Sequence, residues 1–330
     1  MNRPRSTRIL FVVLSAICAA LFVVDLICGS VEIPLGGIWQ ALTGRADDAL
    51  SRIVIDIRLV KALAALIVGG ALSVSGLQMQ TLFRNPLAGP YVLGISSGAS
   101  LGVALFMLGV PVVGMGATFA SLGVAGMAWV GSAALLAVIG GMAHRIRDIM
   151  VILILGMMFS SGIGAVVQIL QYLSNEESLK AYIIWTMGSL GEVTWTQMAV
   201  LGAAVVAGLI LAVATIKPLN LLLLGEDYAR TMGLRVRRSR NLIFLSTTLL
   251  AGTVTAFCGP IGFVGLAMPH VARLLFSTAD NRVLLPASFL VGATVMLLCD
   301  IVAKQFSLPI NAITALLGIP VVVWVVLKYR

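Results

Sequence analysis

Ten apolar runs, nearly free of charge, follow one another along the 330 residues and leave the chain few ways to fold. They lie near Ile9–Cys28, Ala62–Phe83, Tyr91–Gly109, Gly116–Gly141, Met150–Leu173, Met198–Ile216, Leu242–Cys258, Ile261–Leu275, Leu284–Cys299 and Ile310–Leu327. In hydrocarbon every backbone polar group must be satisfied by the segment itself or by its neighbours, so spanning structures are helices or closed barrels. Most runs match the roughly 20 apolar residues that a spanning helix needs, and none has the alternating pattern of a barrel strand. Hydrophobic residues make up 60% of the chain and charged residues only 11%, against about 25% in soluble domains. The expectation is an all-α polytopic membrane protein with about ten transmembrane helices in a single domain, residues 1–330. The eighth run is too short to cross alone. Of Asp, Glu, Lys and Arg, only Asp25 lies well inside a run, near the end of the first, while Arg273 falls two residues from the end of the eighth. That run is longer than the apolar core of a signal peptide and is read as an anchor.

Threading the runs through a bilayer separates the basic residues. One side receives only Arg45, Arg52, Arg58, Lys61, Lys180 and Lys304; the other sixteen of the 22 fall opposite, Arg3, Arg145, Arg147 and Arg330 among them. The positive-inside rule therefore places both termini in the cytoplasm. The net charge of +9 is a topology signal and gives no reason to expect a nucleic-acid partner.

Two Gly-Pro segments echo each other: Gly89 to Gly94 before the third run and Gly259 to Gly265 around the start of the eighth. On this topology Pro90 is cytoplasmic and Pro260 external, the relation expected of an inverted repeat. Gly-Pro before a helix also serves simply as a start signal.

The stretch Arg84 to Pro90 followed by Leu93 to Ala99, and the stretch Gly262 to Arg273, resemble signature segments of the permease subunits that import iron chelates, haem and cobalamin. Trp185 to Leu190 and Leu224 to Leu234 are similar to two more, in family order from about Arg58 to the C terminus. The resemblance implies a homodimer in the bacterial inner membrane. Two ATP-binding-cassette subunits, which use ATP and Mg, would bind it on the inside, and a periplasmic solute-binding protein on the outside. No cofactor is expected in this chain.

The segment 217–240 reads as a cytoplasmic loop carrying a short helix from Glu226 to Leu234. A helix with apolar anchors and fixed charges suits a partner groove. The resemblance makes this the coupling element, with Gly225, Glu226, Asp227, Tyr228, Ala229, Arg230, Gly233 and Leu234 facing the ATPase. Bulky replacements at Ala229 or Gly233 are then expected to uncouple a folded permease.

On the outer face the resemblance assigns Arg58, Lys61 and Lys304 to docking the carboxylates of the binding protein. The family pattern has Pro at Val60 and Arg at both lysines, and lysine keeps the charge without the bidentate fork. Asp300 and Lys304 are also spaced as an intrahelical i, i+4 pair. By the same resemblance the fifth run lines the pathway, with Ser160, Ser161, Gly164 and Gln168 along it and Asp148, Ile149 and Met150 at an inner gate. Ser307, Asn311 and Asn281 replace residues common in the family.

No catalytic constellation accompanies these segments. The two histidines, His144 and His270, are far apart in sequence, and there is neither a nucleophile elbow nor a phosphate-binding Gly-x-x-x-x-Gly-Lys-Ser/Thr loop. Glycine runs such as Gly94–Gly102 and Gly162–Gly164 read as close helix packing. Cys18, Cys28, Cys258 and Cys299 form no Cys-x-x-Cys pair. An ion-coupled secondary carrier is the alternative class. Its mid-membrane ionisable residues are missing here, leaving polar candidates such as Gln78, Gln80, Gln168 and Asn311.

Overall fold

The structure is a computed structural model that describes residues 4–29, 31, 33–44, 47–109, 123–143, 146 and 148–328. Arg3, Arg45, His144, Arg145, Arg147, Arg330 and the start of the fourth apolar run, 116–122, lie outside the described residues. In chain order come α1 (Pro4–Ile27), α2 (Leu35–Leu42) and α3 (Asp48–Arg52), which passes through a π-helical stretch (Ile53–Leu59) into α4 (Val60–Leu82). Next are α5 (Ile95–Ala104), ending in a π-helical turn (Leu105–Gly109), α6 (Gly123–Ala143), α7 (Ile149–Leu173), α8 (Glu176–Thr186) and α9 (Trp195–Ala214). Three shorter pieces follow: α10 (Ile216–Leu222), α11 (Glu226–Thr231) and α12 (Val236–Thr247). A second π-helical turn (Thr248–Gly252) leads into α13 (Thr253–Cys258), and α14 (Val264–Phe276), α15 (Asn281–Phe306) and α16 (Ile310–Lys328) complete the chain.

Each of the ten apolar runs coincides with an apolar helix, and the described elements are all helical. Among the described residues six helices are long and apolar enough to cross a bilayer, three more are shorter, and α4 is buried over almost its whole length. Two boundaries differ from expectation. The third run becomes helical only at Ile95, because Gly94 adopts φ +74, a left-handed conformation that ends any upstream helix. The segment 217–240, expected to be a loop, is mostly helix: α10 and α11 fill it, and α12 begins at Val236 rather than Leu242. Its basic first turns lower the mean hydropathy without preventing a helix, because Arg stems can lie along apolar surface.

The helices gather into two compact units. In the first (Met1–Leu77, Ser189–Ala203, Ile261–Arg330), α4 crosses α15 at Gly69 and Gly292. A Cβ on either glycine would strike the other's backbone carbonyl, so only glycine lets the two backbones approach this closely. Here α15 also packs on α1 and α14, and the rings of Phe11 and Phe276 lie 4.7 Å apart. The second unit (Gln78–Gly188, Ala204–Pro260) repeats the device where Gly98 of α5 meets Gly131 of α6. Close packing is thus the role of the Gly94–Gly102 run. Gly162 and Gly164 differ, since a Cβ there would meet nothing of the chain within 4 Å.

Buried polar groups are committed to this packing. In the second unit the Gln78 amide donates to Thr215 Oγ1 at 3.1 Å and its carbonyl accepts from Ser246 at 3.1 Å and Thr247 at 3.3 Å. In the first unit the Asn311 carbonyl oxygen accepts the Gly262 N–H at 3.0 Å, holding the irregular backbone that follows Pro260. All four cysteines are free.

Candidate functional site

Three groups contain the residues to which the family resemblance assigned roles. At the first of them, Arg58, Lys61 and Lys304 do not form a set of free cations. The Arg58 side chain lies in the π-helical stretch before α4 and is only 5% exposed. Its guanidinium donates to the carbonyls of Leu26 at 3.0 Å, Ile27 at 2.7 Å and Val31. These are orphan carbonyls at and beyond the end of α1, where a cation also meets the negative end of the helix dipole. Within the chain Arg58 therefore acts as a cap for the end of α1. Nearby, Lys61 pairs with Asp300 at 3.1 Å, and Lys304 reaches Asp300 and Asp25 at 2.8 Å each. The i, i+4 pair expected within α15 is present, but it belongs to a four-charge network joining α1, α4 and α15. The role of Asp25 was missed. Its signal was the solitary carboxylate in an apolar run, which demands a cationic partner. Lys61 keeps 23% of its side chain exposed and is the most accessible member.

The second group is α11. Gly225, at φ +106, turns the chain between α10 and α11. Glu226 then pins the short helix, contacting Arg240 of α12 and lying 3.6 Å from Arg230. Ala229 is wholly buried with Leu219, Leu222, Val236 and Ile243. A bulky side chain there is expected to disturb this core as well as any coupling contact. Gly233, at φ +82, ends α11, and replacing it strains the backbone as well. The surface left to a partner consists of Leu224, Tyr228 and Met232, exposed by 61%, 52% and 59%, with exposed Asp227 and Arg230 between them and Leu234 half-buried.

The third group lies on α7. Asp148 caps this helix, its carboxylate accepting the Met150 N–H at 2.8 Å, and so sets where Ile149 and Met150 begin. Along α7, Ile154, Met158, Ser161, Ala165, Gln168 and Tyr172 are all exposed. Their alternating spacing of four and three residues makes one continuous uncovered face. Ser161 and Gln168 belong to it, whereas Ser160 and Gly164 are half-buried beside it. Both serine hydroxyls donate to their own helix, Ser160 to Gly156 at 2.8 Å and Ser161 to Met157 at 3.1 Å. The face thus presents apolar and weakly polar surface with no fixed charge.

Comparison with known proteins gives a consistent answer. The haemin transport system permease protein HmuU of Yersinia pestis is 35% identical over 307 residues, 92% of this chain and 90% of its own. The vitamin B12 import system permease protein BtuC of Salmonella paratyphi A is 40% identical over 277 residues, 82% of both chains. A solved structure assigned as an inward-facing metal-chelate type ABC transporter superposes with a TM-score of 0.83 at 31% identity, covering 97% of this chain and 99% of its own. The FecCD transport family matches residues 17–328, and with that span nearly end to end the chain belongs to the FecCD transport family.

Proposed function

We propose that the chain is the membrane-spanning subunit of an ATP-driven importer that moves a metal chelate of the haem, cobalamin or iron-siderophore class into the cytoplasm. Family membership and the haemin and vitamin B12 relatives support the cargo class. The observation that carries the mechanism is the exposed apolar ridge of Tyr228 and Met232 on a short helix pinned by Glu226, with Leu224 exposed just before the turn at Gly225. The sequence has no phosphate-binding loop, so energy must arrive by contact, and separate ATPase subunits that bind ATP and Mg supply it through this ridge. The uncovered face of α7 supports a second copy across a shared pathway, with Ser161 and Gln168 on its wall. Asp148, Ile149 and Met150 stand at the inner mouth. Positive-inside asymmetry supports cytoplasmic termini and a bacterial inner-membrane location. In the cycle a loaded binding protein docks outside, ATP-driven closure of the ATPases moves α11, and the pathway opens inward.

Reconstitution with its ATPase and binding protein tests the reading. Vesicles should take up haem, cobalamin or a ferric siderophore only when ATP reaches the ATPase side. Uptake by the chain alone, driven by a proton or sodium gradient without nucleotide, would overturn the proposal in favour of a secondary carrier.

Docking on the outer face is assigned to Lys61, with Lys304 and the Arg58 cap holding the surrounding elements in place. Rim charges act mainly on association rate and its salt dependence. Lys61→Gln should therefore slow association of the loaded binding protein severalfold at low salt and flatten its decline as salt rises. An unchanged rate and slope in nanodiscs would remove Lys61 from the docking surface.

A further inference from the structure

Between α6 and the run from α12 through its π-helical turn, the second unit leaves a cavity of about 520 Å³. On one wall α6 contributes small side chains, Ala133, Ala137, Gly140 and Gly141, and on the other stand Asn241, Leu245 and Leu249. Trp129 and Gly252 lie at its far end. The cavity is long rather than round. From Trp129 to Gly141 the helix rises roughly 18 Å, and from Asn241 to Gly252 roughly 16 Å. Half of a hydrocarbon core about 30 Å thick has a similar length, so the cavity runs the depth of one leaflet. Both walls belong to helical stretches long and apolar enough to cross a bilayer, whose core is acyl chain. Four-residue steps carry the ridge of Leu249, Leu245 and Asn241 on to Arg237, with Arg238 beside it, both exposed one turn beyond the cavity.

We infer that this cavity holds one acyl chain of an anionic phospholipid from the cytoplasmic leaflet, with its phosphate beside Arg237 and Arg238. Small residues on α6 make the room, apolar walls match the chain, and the two guanidinium groups match the headgroup charge. Asn241, at the boundary between them, offers an amide to the glycerol ester region. The inference rests on the cytoplasmic placement of the α12 start proposed above.

The test uses the full chain with Trp129 as its only tryptophan, the other four changed to Phe, in vesicles containing phosphatidylglycerol or phosphatidylcholine brominated at mid-chain. Quenching of Trp129 should report about tenfold preference for phosphatidylglycerol at low salt, since each basic residue near a membrane surface contributes about fivefold at most to anionic-lipid attraction and the two share one headgroup. Combined Arg237→Gln and Arg238→Gln should bring the preference close to one. Ala137→Phe, at an exposed position, should fill the cavity and abolish the phosphatidylglycerol-specific component while ordinary quenching by bulk lipid remains. Equal quenching by both lipids in the parent, or a preference that survives either change, overturns the inference. Absence of quenching by both would mean that protein covers this face, and overturns it as well. Native mass spectrometry of the unsubstituted chain from mixed micelles should show the same headgroup preference. Separately, Arg238→Cys in a cysteine-free chain should react with an impermeant thiol reagent only from the cytoplasmic side. Labelling from outside would reverse the orientation, a failure distinct from loss of the lipid preference.

Discussion

Replacing Asp300 by Ala should lower the stability of the folded chain by about 3–5 kcal/mol, the usual cost of removing one partner from a buried ion pair. Its side chain is 1% exposed and it is the acid that both lysines share, Lys61 at 3.1 Å and Lys304 at 2.8 Å. After the substitution Lys61 loses its only ion-pair partner in the network and Lys304, 10% exposed, keeps only Asp25. The effect should appear as a large drop in melting temperature in detergent and a loss of membrane-inserted protein. Lys61→Ala should cost much less, because its partially exposed ammonium shares Asp300 with Lys304. A melting temperature for Asp300→Ala equal to that of the parent would mean that the network does not hold α1, α4 and α15 together.

The second large effect is expected at Tyr228. As an exposed aromatic on the α11 ridge it has the character of an interface hot spot, where truncation costs about 2 kcal/mol or more of binding, roughly thirtyfold in affinity. Tyr228→Ala should leave the chain folded and inserted, since the side chain contributes surface rather than core. ATPase affinity and ATP-driven uptake should both fall by an order of magnitude or more, and Met232→Ala should act in the same direction with a smaller size. The contrast is Ala229→Trp, which should fail earlier by disrupting the cluster of Leu219, Leu222 and Ile243. Co-purification with the ATPase distinguishes the two cases. If Tyr228→Ala retains parental affinity and uptake, α11 is not the coupling contact.

Both expectations depend on details that sequence reading reached only in part. Helix positions were legible because hydrophobic length alone marks a span, and the misplaced edges fall where that signal is weak. Gly94 delays the start of α5 through its backbone angle, and Val236–Arg240 is helical despite its charge. The i, i+4 pair in α15 was visible because both partners lie in one helix. Its extension to Asp25 and Lys61 was not, since the partners are distant in sequence. For Arg58 the charge was legible and its capping of α1 was not. A cation beside a span boundary has the same sequence signature whether it faces a partner or caps a helix, and only the positions of the Leu26 and Ile27 carbonyls distinguish the two.

By itself the sequence determined the class of molecule, because a bilayer leaves apolar runs of this length no structure but the helix and makes basic residues report sidedness. It also determined the family, since ordered motifs are a one-dimensional signal. The tertiary structure alone decided which of the motif side chains are free to act. Ala229 and Tyr228 are adjacent in one motif, yet one is core and the other surface. Successive residues of a helix point about 100° apart, and what each direction meets depends on neighbours that local sequence does not name.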